Sequence, residues 1–275
     1  MPELPEVETV RRSLLARLPG RAVTEIQVRD ARLRVPVDEA KLNDLIAGQR
    51  VTALSRRAKY LIIHFDNQSR LIIHLGMSGQ VRLVPAGSPF DKHDHVIFAL
   101  DDGLEFRFRD PRRFGMVVAL DESAFKAYAP LNQLGPEPLA ADCKADYLFK
   151  RSRGLKQPVK NFLMDQRVIV GVGNIYASES LFLAGIHPLK PAGRISRARW
   201  QRLMEAVKRV LRKAIRQGGT TLSDFRDSDG NAGYFQVALH VYGRKGEPCR
   251  TCQAAIRAQV VAGRSTFYCP RCQRG

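Results

Sequence analysis

The chain has 275 residues, with 45 Lys+Arg against 27 Asp+Glu and a formal net charge of +18. Its length suits two domains at roughly 100–200 residues each, and 44% hydrophobic with 26% charged residues is the composition of a globular protein. No apolar run approaches the ~18 residues that span a bilayer, and the start is acidic without the apolar stretch of a signal peptide, which argues against membrane-spanning and exported classes. So large a basic excess predicts a polyanionic partner, either nucleic acid or an anionic surface, and a ribosomal-type RNA binder would carry the same charge.

The chain opens Met1-Pro2-Glu3-Leu4-Pro5-Glu6-Val7-Glu8. A small second residue favours removal of Met1, which exposes the secondary amine of Pro2. An α-amino group titrates near ~7.7–8.0, against ~10.4 for lysine, so part of it is neutral and nucleophilic at cellular pH. Such an amine attacks a sugar carbon to form an imine, with Glu3 beside it to move protons. The same residues also fit a plain helix start, with proline in the first turn and acids at the positive end of the dipole.

Leu4, Val7, Val10, Leu14, Leu15 and Leu18 recur at helical spacing, and Pro19-Gly20 ends the pattern. Strand patterns follow over Ala22–Val28, Arg50–Leu54, Tyr60–Phe65, Leu71–Leu75, Gln80–Val84, His95–Leu100, Leu104–Phe108 and Met116–Leu120, with one helical pattern at Asp38–Ala47. Short strands divided by turn signals predict an antiparallel sandwich or barrel for residues 1–132. Prolines and glycines over 133–142 read as a linker. Helical patterns then cover Asp146–Arg151, Val159–Asp165, Gly173–Ala184 and Ser196–Gln217, within a helical domain at 143–239. The polar stretch 218–233 is of the length used by lids and binding loops.

Five cysteines occur, and four of them form Cys249-x2-Cys252 and Cys269-x2-Cys272 with sixteen residues between the pairs. That spacing matches a four-cysteine zinc ribbon over 240–275, with a hairpin around Ala262-Gly263-Arg264. Cys143 is left over and reads as an incidental buried thiol.

Several turns carry further chemistry. Lys59, at the entry to an apolar strand, suits either a second amine near Pro2 or a phosphate contact. Met77 in Gly76-Met77-Ser78-Gly79 and Phe114 in Asp110–Gly115 are either ordinary core residues or apolar tips that wedge between DNA base steps. Lys92-His93-Asp94-His95 has no other ligand cluster near it in sequence, and a phosphate contact by His93 is the better reading. Gly171 and Gly173 precede a helix but lack the third glycine and βαβ setting of a dinucleotide site, so no nucleotide cofactor is expected. Their amides and Asn174 suit a phosphodiester, and Arg264 at the hairpin tip suits a phosphate.

With these residues in view the chain closely resembles the formamidopyrimidine-DNA glycosylases, bacterial base-excision repair enzymes also called Fpg or MutM. The resemblance runs through Pro2–Thr9, Arg57–Tyr60, His74–Gly79, Lys92–His95, Asp110–Gly115, Gly171–Ser180, Gly218–Leu222 and the cysteine ribbon. It implies an α+β chain of two domains, an N-terminal antiparallel β-sandwich with a leading helix and a C-terminal helical helix-two-turn-helix domain, plus a four-cysteine zinc ribbon.

The implied activity is excision of oxidised purines from double-stranded DNA, with strand cleavage at the abasic site, by a monomer at the bacterial nucleoid in the cytoplasm. Pro2 is implied as the nucleophile on C1′, Glu3 as acid and base, Lys59 as proton carrier in β-elimination and Arg264 in δ-elimination. Glu6 and Glu179 are implied as support. His93, Arg112, Arg153, Lys156, Lys160, Asn174 and Tyr176 are implied DNA contacts, and Met77, Arg112 and Phe114 fill the gap left by the extruded nucleotide. Thr220, Thr221, Leu222 and Tyr234 belong to the implied lesion loop, although Ser223 stands where some relatives carry lysine. Leu4 and the Met77 and Phe114 motifs favour this branch over the endonuclease VIII branch, which prefers oxidised pyrimidines. A zinc-ribbon DNA binder without chemistry would explain the charge but gives no reason to keep Pro2, Glu3 and Lys59 together.

Overall fold

Helix α1 (Leu4–Leu15) forms because Leu4, Val7, Val10 and Leu14 return to one buried face every three or four residues. Its start is fixed by a reciprocal cap: the Glu3 amide donates to Glu6 Oε2 at 2.8 Å, and the Glu3 carboxylate accepts from the Glu6 amide. The helix stops at Leu15, short of the expected Leu18, where the chain tightens into the turn that ends at Gly20. The computed structural model describes residues 2–219 and 239–274, so Thr220, Thr221, Leu222 and Tyr234 lie outside the described residues. The chain divides into two compact units, one built on Met1–Asn132 and also holding Gly218 and Gly219, the other on Gln133–Gln217 and the closing segment from residue 239.

In the first unit α1 is followed by β1 (Val23–Val28), α2 (Glu39–Ile46), β2 (Val51–Arg57), β3 (Tyr60–Phe65), β4 (Arg70–His74), β5 (Gln80–Pro85), β6 (Asp94–Leu100), β7 (Leu104–Arg109), β8 (Met116–Leu120), α3 (Glu122–Lys126) and α4 (Ala129–Asn132). Two four-stranded antiparallel sheets result, in the orders β1-β6-β7-β5 and β2-β3-β4-β8. Alternate residues of both, such as Phe98 and Phe106 from one and Leu61, Ile63 and Ile73 from the other, bury into one core shared with Val7, Val10 and Leu14 of α1.

Besides the long link from β1 through α2 to β2, two short connections pass from sheet to sheet: residues 75–79 lead from β4 into β5, and residues 110–115 lead from β7 into β8. The register lays them side by side, since His74 pairs with Met116 at their one end and Gln80 with Arg109 at the other. Tyr60 also pairs with His74, and Asp94 with Arg109. The turn before Tyr60, the two crossovers and the residue before Asp94 therefore all issue from one end of the sandwich. Strand β2 runs on to Arg57, past the expected Leu54, because its ladder to β3 continues through two arginines that show no apolar alternation. Helices α3 and α4 are too short to leave a periodic signal; Asp121 starts α3 by accepting from the Ala124 amide at 2.8 Å.

The second unit has α5 (Ala145–Ser152), α6 (Val159–Met164), α7 (Asn174–Leu183), the long α8 (Arg197–Arg216) and a hairpin of β9 (Arg257–Val261) and β10 (Arg264–Tyr268). Trp200 of α8 centres its core, edge-on to Phe162 of α6 at 5.4 Å, with its indole N–H donating to Ser152 Oγ at 3.1 Å. The stretch expected as a linker is tied down, since the Gly135 amide donates to Gln166 O at 2.8 Å and the Val170 amide to Pro136 O at 3.2 Å. Among the described residues no helix is long and apolar enough to cross a membrane.

Candidate active site

Helix α1 lies along β2 with its N-terminus directed to the β2–β3 turn. Arg11 reaches Leu54 O at 3.4 Å, and one helical turn earlier Glu8 Oε2 receives Arg56 Nε at 3.2 Å. Continuing about one and a half turns further, to the helix start, brings Pro2 and Glu3 toward the turn that holds Lys59. Arg56 also donates to Ala58 O at 2.7 Å, so a single guanidinium ties this turn, with Ala58 at φ +55°, to the helix. Burial works to raise the Glu8 pKa, but hydrogen bonds from Arg11 and Arg12 and the charges of Arg11 and Arg56 outweigh it and bring it down to about 2. Pro2, Glu3, Glu6 and Lys59 are all buried, Glu3 to 1% exposure.

At the same end the two crossovers present apolar tips, Met77 at 37% and Phe114 at 46% exposure, with the Arg112 guanidinium 5.3 Å over the Phe114 ring. Gly76, at φ +60°, lets the loops touch through their backbones; a Cβ there would fall 2.4 Å from the Phe114 carbonyl carbon. His74 Nδ1 accepts from the Gly76 amide at 2.9 Å. Burial, and then the positive charges of Lys59 and Arg34, pull the His74 pKa down to about 4, which keeps that nitrogen an acceptor at neutral pH. His93 is half-buried and Arg112 exposed. The neighbouring Asp94 carboxylate is held by Arg82 at 2.6 Å and Arg107 at 3.3 Å.

The second unit treats its expected residues differently. Lys160, expected on the DNA backbone, is 1% exposed and donates to Ser265 O at 3.0 Å and Thr266 Oγ1 at 2.8 Å. Asn174 Nδ2 reaches the same Ser265 carbonyl at 3.0 Å. Tyr176 is buried in the helical core. The Glu179 carboxylate accepts the amides of His240, Val241 and Tyr242 at 2.8, 2.9 and 3.0 Å, which makes it an anchor for that segment. Arg153 is exposed but folds back on Ile195 O at 2.8 Å and over the Phe149 ring at 4.1 Å, whereas Lys156 is exposed. Lys160 and Asn174 thus fix the strand that begins at Arg264, which stands exposed beside a two-residue turn with Ala262 and Gly263 at φ +47° and +72°.

Cys249, Cys252, Cys269 and Cys272 bring their sulfurs within 4.8 Å of one another, close enough to hold one metal ion. The amides of Thr251 and Cys272 point at Cys249 and Cys269 Sγ, each at 3.4 Å, as donors to thiolates do. Cys143 is buried apart from them, and burial pushes its thiol up to about 11.

Three family models match in chain order: the formamidopyrimidine-DNA glycosylase N-terminal domain over residues 1–117, the H2TH domain of the same enzymes over 134–226, and the zinc finger found in FPG and IleRS over 246–275. The chain belongs to the formamidopyrimidine-DNA glycosylase family. It is 54% identical to the formamidopyrimidine-DNA glycosylase of Alcanivorax borkumensis and 52% identical to that of Alteromonas mediterranea, each over 100% of both chains. Among solved structures, Lactococcus lactis Fpg in complex with DNA containing an abasic site superposes with a TM-score of 0.91 at 34% identity, over 99% of this chain and 100% of that one. The same Fpg has been solved with N7-benzyl-Fapy-dG DNA and with oxidised-pyrimidine DNA, each at a TM-score of 0.91 and 34% identity over 100% of both chains.

Read as a member of this glycosylase family, the chain collects Lys59, Met77, His93, Arg112 and Phe114 at one end of the sandwich and gives the buried Lys160, Tyr176 and Glu179 interior work. Sequence reasoning assigned no task to Arg56, Glu8 or His74. The spacing of Glu8 from Arg11 and Arg12 is a legible helix pairing, but the bond from Arg56 across to Glu8 follows only from how α1 lies on β2.

Proposed function

We propose that this glycosylase excises oxidised purines, 8-oxoguanine and formamidopyrimidines, from duplex DNA and then cleaves the strand, with the amine of Pro2 as nucleophile once Met1 is removed. The amine lone pair bonds to C1′ and the glycosidic bond breaks. The base departs with that bond's electron pair and takes up a proton, while Glu3 accepts the proton of the attacking amine. The C1′–O4′ bond then breaks, its electron pair going to O4′, which takes up a proton, and leaves an iminium between Pro2 and C1′; Lys59 assists removal of the now acidic C2′ proton, which expels the 3′ phosphate, and Arg264 assists the second elimination, which expels the 5′ phosphate. Water then releases the sugar fragment from Pro2. Glu6 holds the nucleophilic end through the Glu3 amide.

The observation that carries this reading is the direction of α1 along β2, which brings Pro2 and a buried Glu3 toward the Lys59 turn at the end of the sandwich that also bears Met77 and Phe114. Extruding the target nucleotide costs a few kcal/mol, and filling its place with Met77, Arg112 and Phe114 offsets part of that. Phosphate contacts by His93, Arg112 and Lys156, within a +18 chain, would make binding fall steeply with salt.

The four-thiolate set fits zinc, whose closed tetrahedral sites of this kind are structural. Zinc there would hold the hairpin that presents Arg264. On this reading the domains are 1–132, a connecting 133–142, 143–239 and 240–275, and the protein works as a monomer on the nucleoid in the bacterial cytoplasm.

A borohydride trap on a duplex with 8-oxoguanine opposite cytosine, run on wild type and Pro2→Gly after intact-mass verification that Met1 is absent, tests the chemistry. Covalent trapping that is lost or weakened in the variant is expected. Equal trapping by both would remove residue 2 from the role. Because Lactococcus lactis Fpg has been solved with oxidised-pyrimidine DNA, a dihydrouracil duplex is run beside it, and preferential trapping there would move the chain to the pyrimidine branch.

A further inference from the structure

We infer that Ser78 and Asp110 are positioning residues that lock the Met77 crossover to the Arg112–Phe114 crossover, so that the three wedge side chains enter DNA as one block. Asp110 has no exposed surface and Ser78 is 8% exposed, so neither is a contact residue. Ser78 Oγ donates to Asp110 Oδ1 at 2.6 Å, the Gly115 amide donates to Asp110 Oδ2 at 2.7 Å, and the Arg112 amide donates to Ser78 Oγ at 3.2 Å and Asp110 Oδ1 at 3.3 Å. The Asp110 carbonyl in turn accepts from His95 Nε2 at 2.8 Å. Asp110 therefore binds a residue of one crossover with one oxygen and the far side of its own crossover with the other.

The chain places charge where a lock needs it. A buried carboxylate makes stronger hydrogen bonds than a neutral acceptor, and here it is satisfied by groups from both loops. Met77 lies next to Ser78 and Phe114 next to Gly115, so each tip is one residue from the lock. Without it the loops would be joined chiefly by the Gly76 and Phe114 backbone contact.

The inference rests on the wedge reading given above, and one set of measurements separates the two. Wild type, Ser78→Ala, Asp110→Asn and Met77→Ala are compared for single-turnover excision of 8-oxoguanine from duplex, for strand cleavage of a single-stranded oligonucleotide with a preformed abasic site, and for fluorescence of 2-aminopurine beside the lesion. A single strand has no stack to fill and does not call on the wedge. Ser78→Ala is expected to slow duplex excision about tenfold, the size of one hydrogen bond to a charged group, with a smaller 2-aminopurine rise and single-strand cleavage unchanged. Asp110→Asn, which keeps an acceptor for Gly115 but offers Ser78 Oγ a donor in place of the acceptor, is expected between wild type and Ser78→Ala. If Ser78→Ala matches wild type while Met77→Ala is impaired, the lock is wrong and the wedge stands. If Ser78→Ala loses single-strand cleavage equally, its role is general folding and the inference falls. If Met77→Ala excises from duplex like wild type, the wedge reading falls and takes the lock with it.

Discussion

The two units use their motif residues in opposite ways. At the end of the sandwich, Met77, Arg112 and Phe114 stand out into solvent while their neighbours hold them from behind. In the helical unit, Lys160, Tyr176 and Glu179 are buried, and the strand that begins at the exposed Arg264 is held by Lys160 together with Asn174. A recognisable motif therefore contains both exposed groups and buried groups that hold their neighbours, and only burial and bonding tell which is which.

The sharpest test of the sandwich end is Glu3→Gln, which keeps an oxygen to cap the Glu6 amide but removes the acid. Excision should fall on the order of 10²–10⁴-fold in single-turnover assays, with the melting temperature nearly unchanged. A collapse of the melt instead would mean that this end is frame as well, and the contrast would break. Next in size is the metal. Cys249→Ala should lose bound zinc, read by elemental analysis at one ion per chain in wild type, and weaken DNA binding at least about tenfold, because a structural site of this kind supplies the folding energy of its module.

Acid should act on the sandwich through His74. Its folded pKa, about 4, lies below the ordinary 6.5, so the unfolded chain takes up the proton first as pH falls. The stability it contributes is complete above 6.5 and is lost between 6.5 and 4, on the order of 3 kcal/mol. Glu8, brought down to about 2 from 4.5, adds a second loss over that lower range. Denaturant melts of wild type and His74→Gln from pH 7.5 to 4 should converge if the assignment is right. The smallest effects sharpen the contrast most. Lys160→Met leaves Thr266 Oγ1 without its donor and Ser265 O with Asn174 alone, costing about 1–3 kcal/mol, yet should leave the salt slope of DNA binding unchanged. Arg112→Gln should do the reverse, lowering that slope by about 1 with little change in melting.

Much of this was legible from sequence. The period-2 strands, the leading helix, the capped α8 and the cysteine knuckles all follow from local patterns whose causes are local. Helices α3 and α4 were invisible because one or two turns give no periodicity. The inward turn of Lys160 was hidden for a different reason: a lone lysine in a short helix reads as a surface cation, and its acceptors lie on a strand that begins about a hundred residues later. Ser78 and Asp110 were in plain sight within their motifs, but no rule of spacing joins them. Only the pairing of β4 with β8 and of β5 with β7 brings them together.

Those paired crossovers also bear on how such a tip can change over time. Residues 75–79 and 110–115 are distant along the chain but neighbours in the fold, and the glycine contact and shared carboxylate leave little slack between them. An insertion or exchange in one loop alone would misfit the other, so the two form a single heritable cassette. A graft of this tip onto a relative should succeed only when both segments travel together.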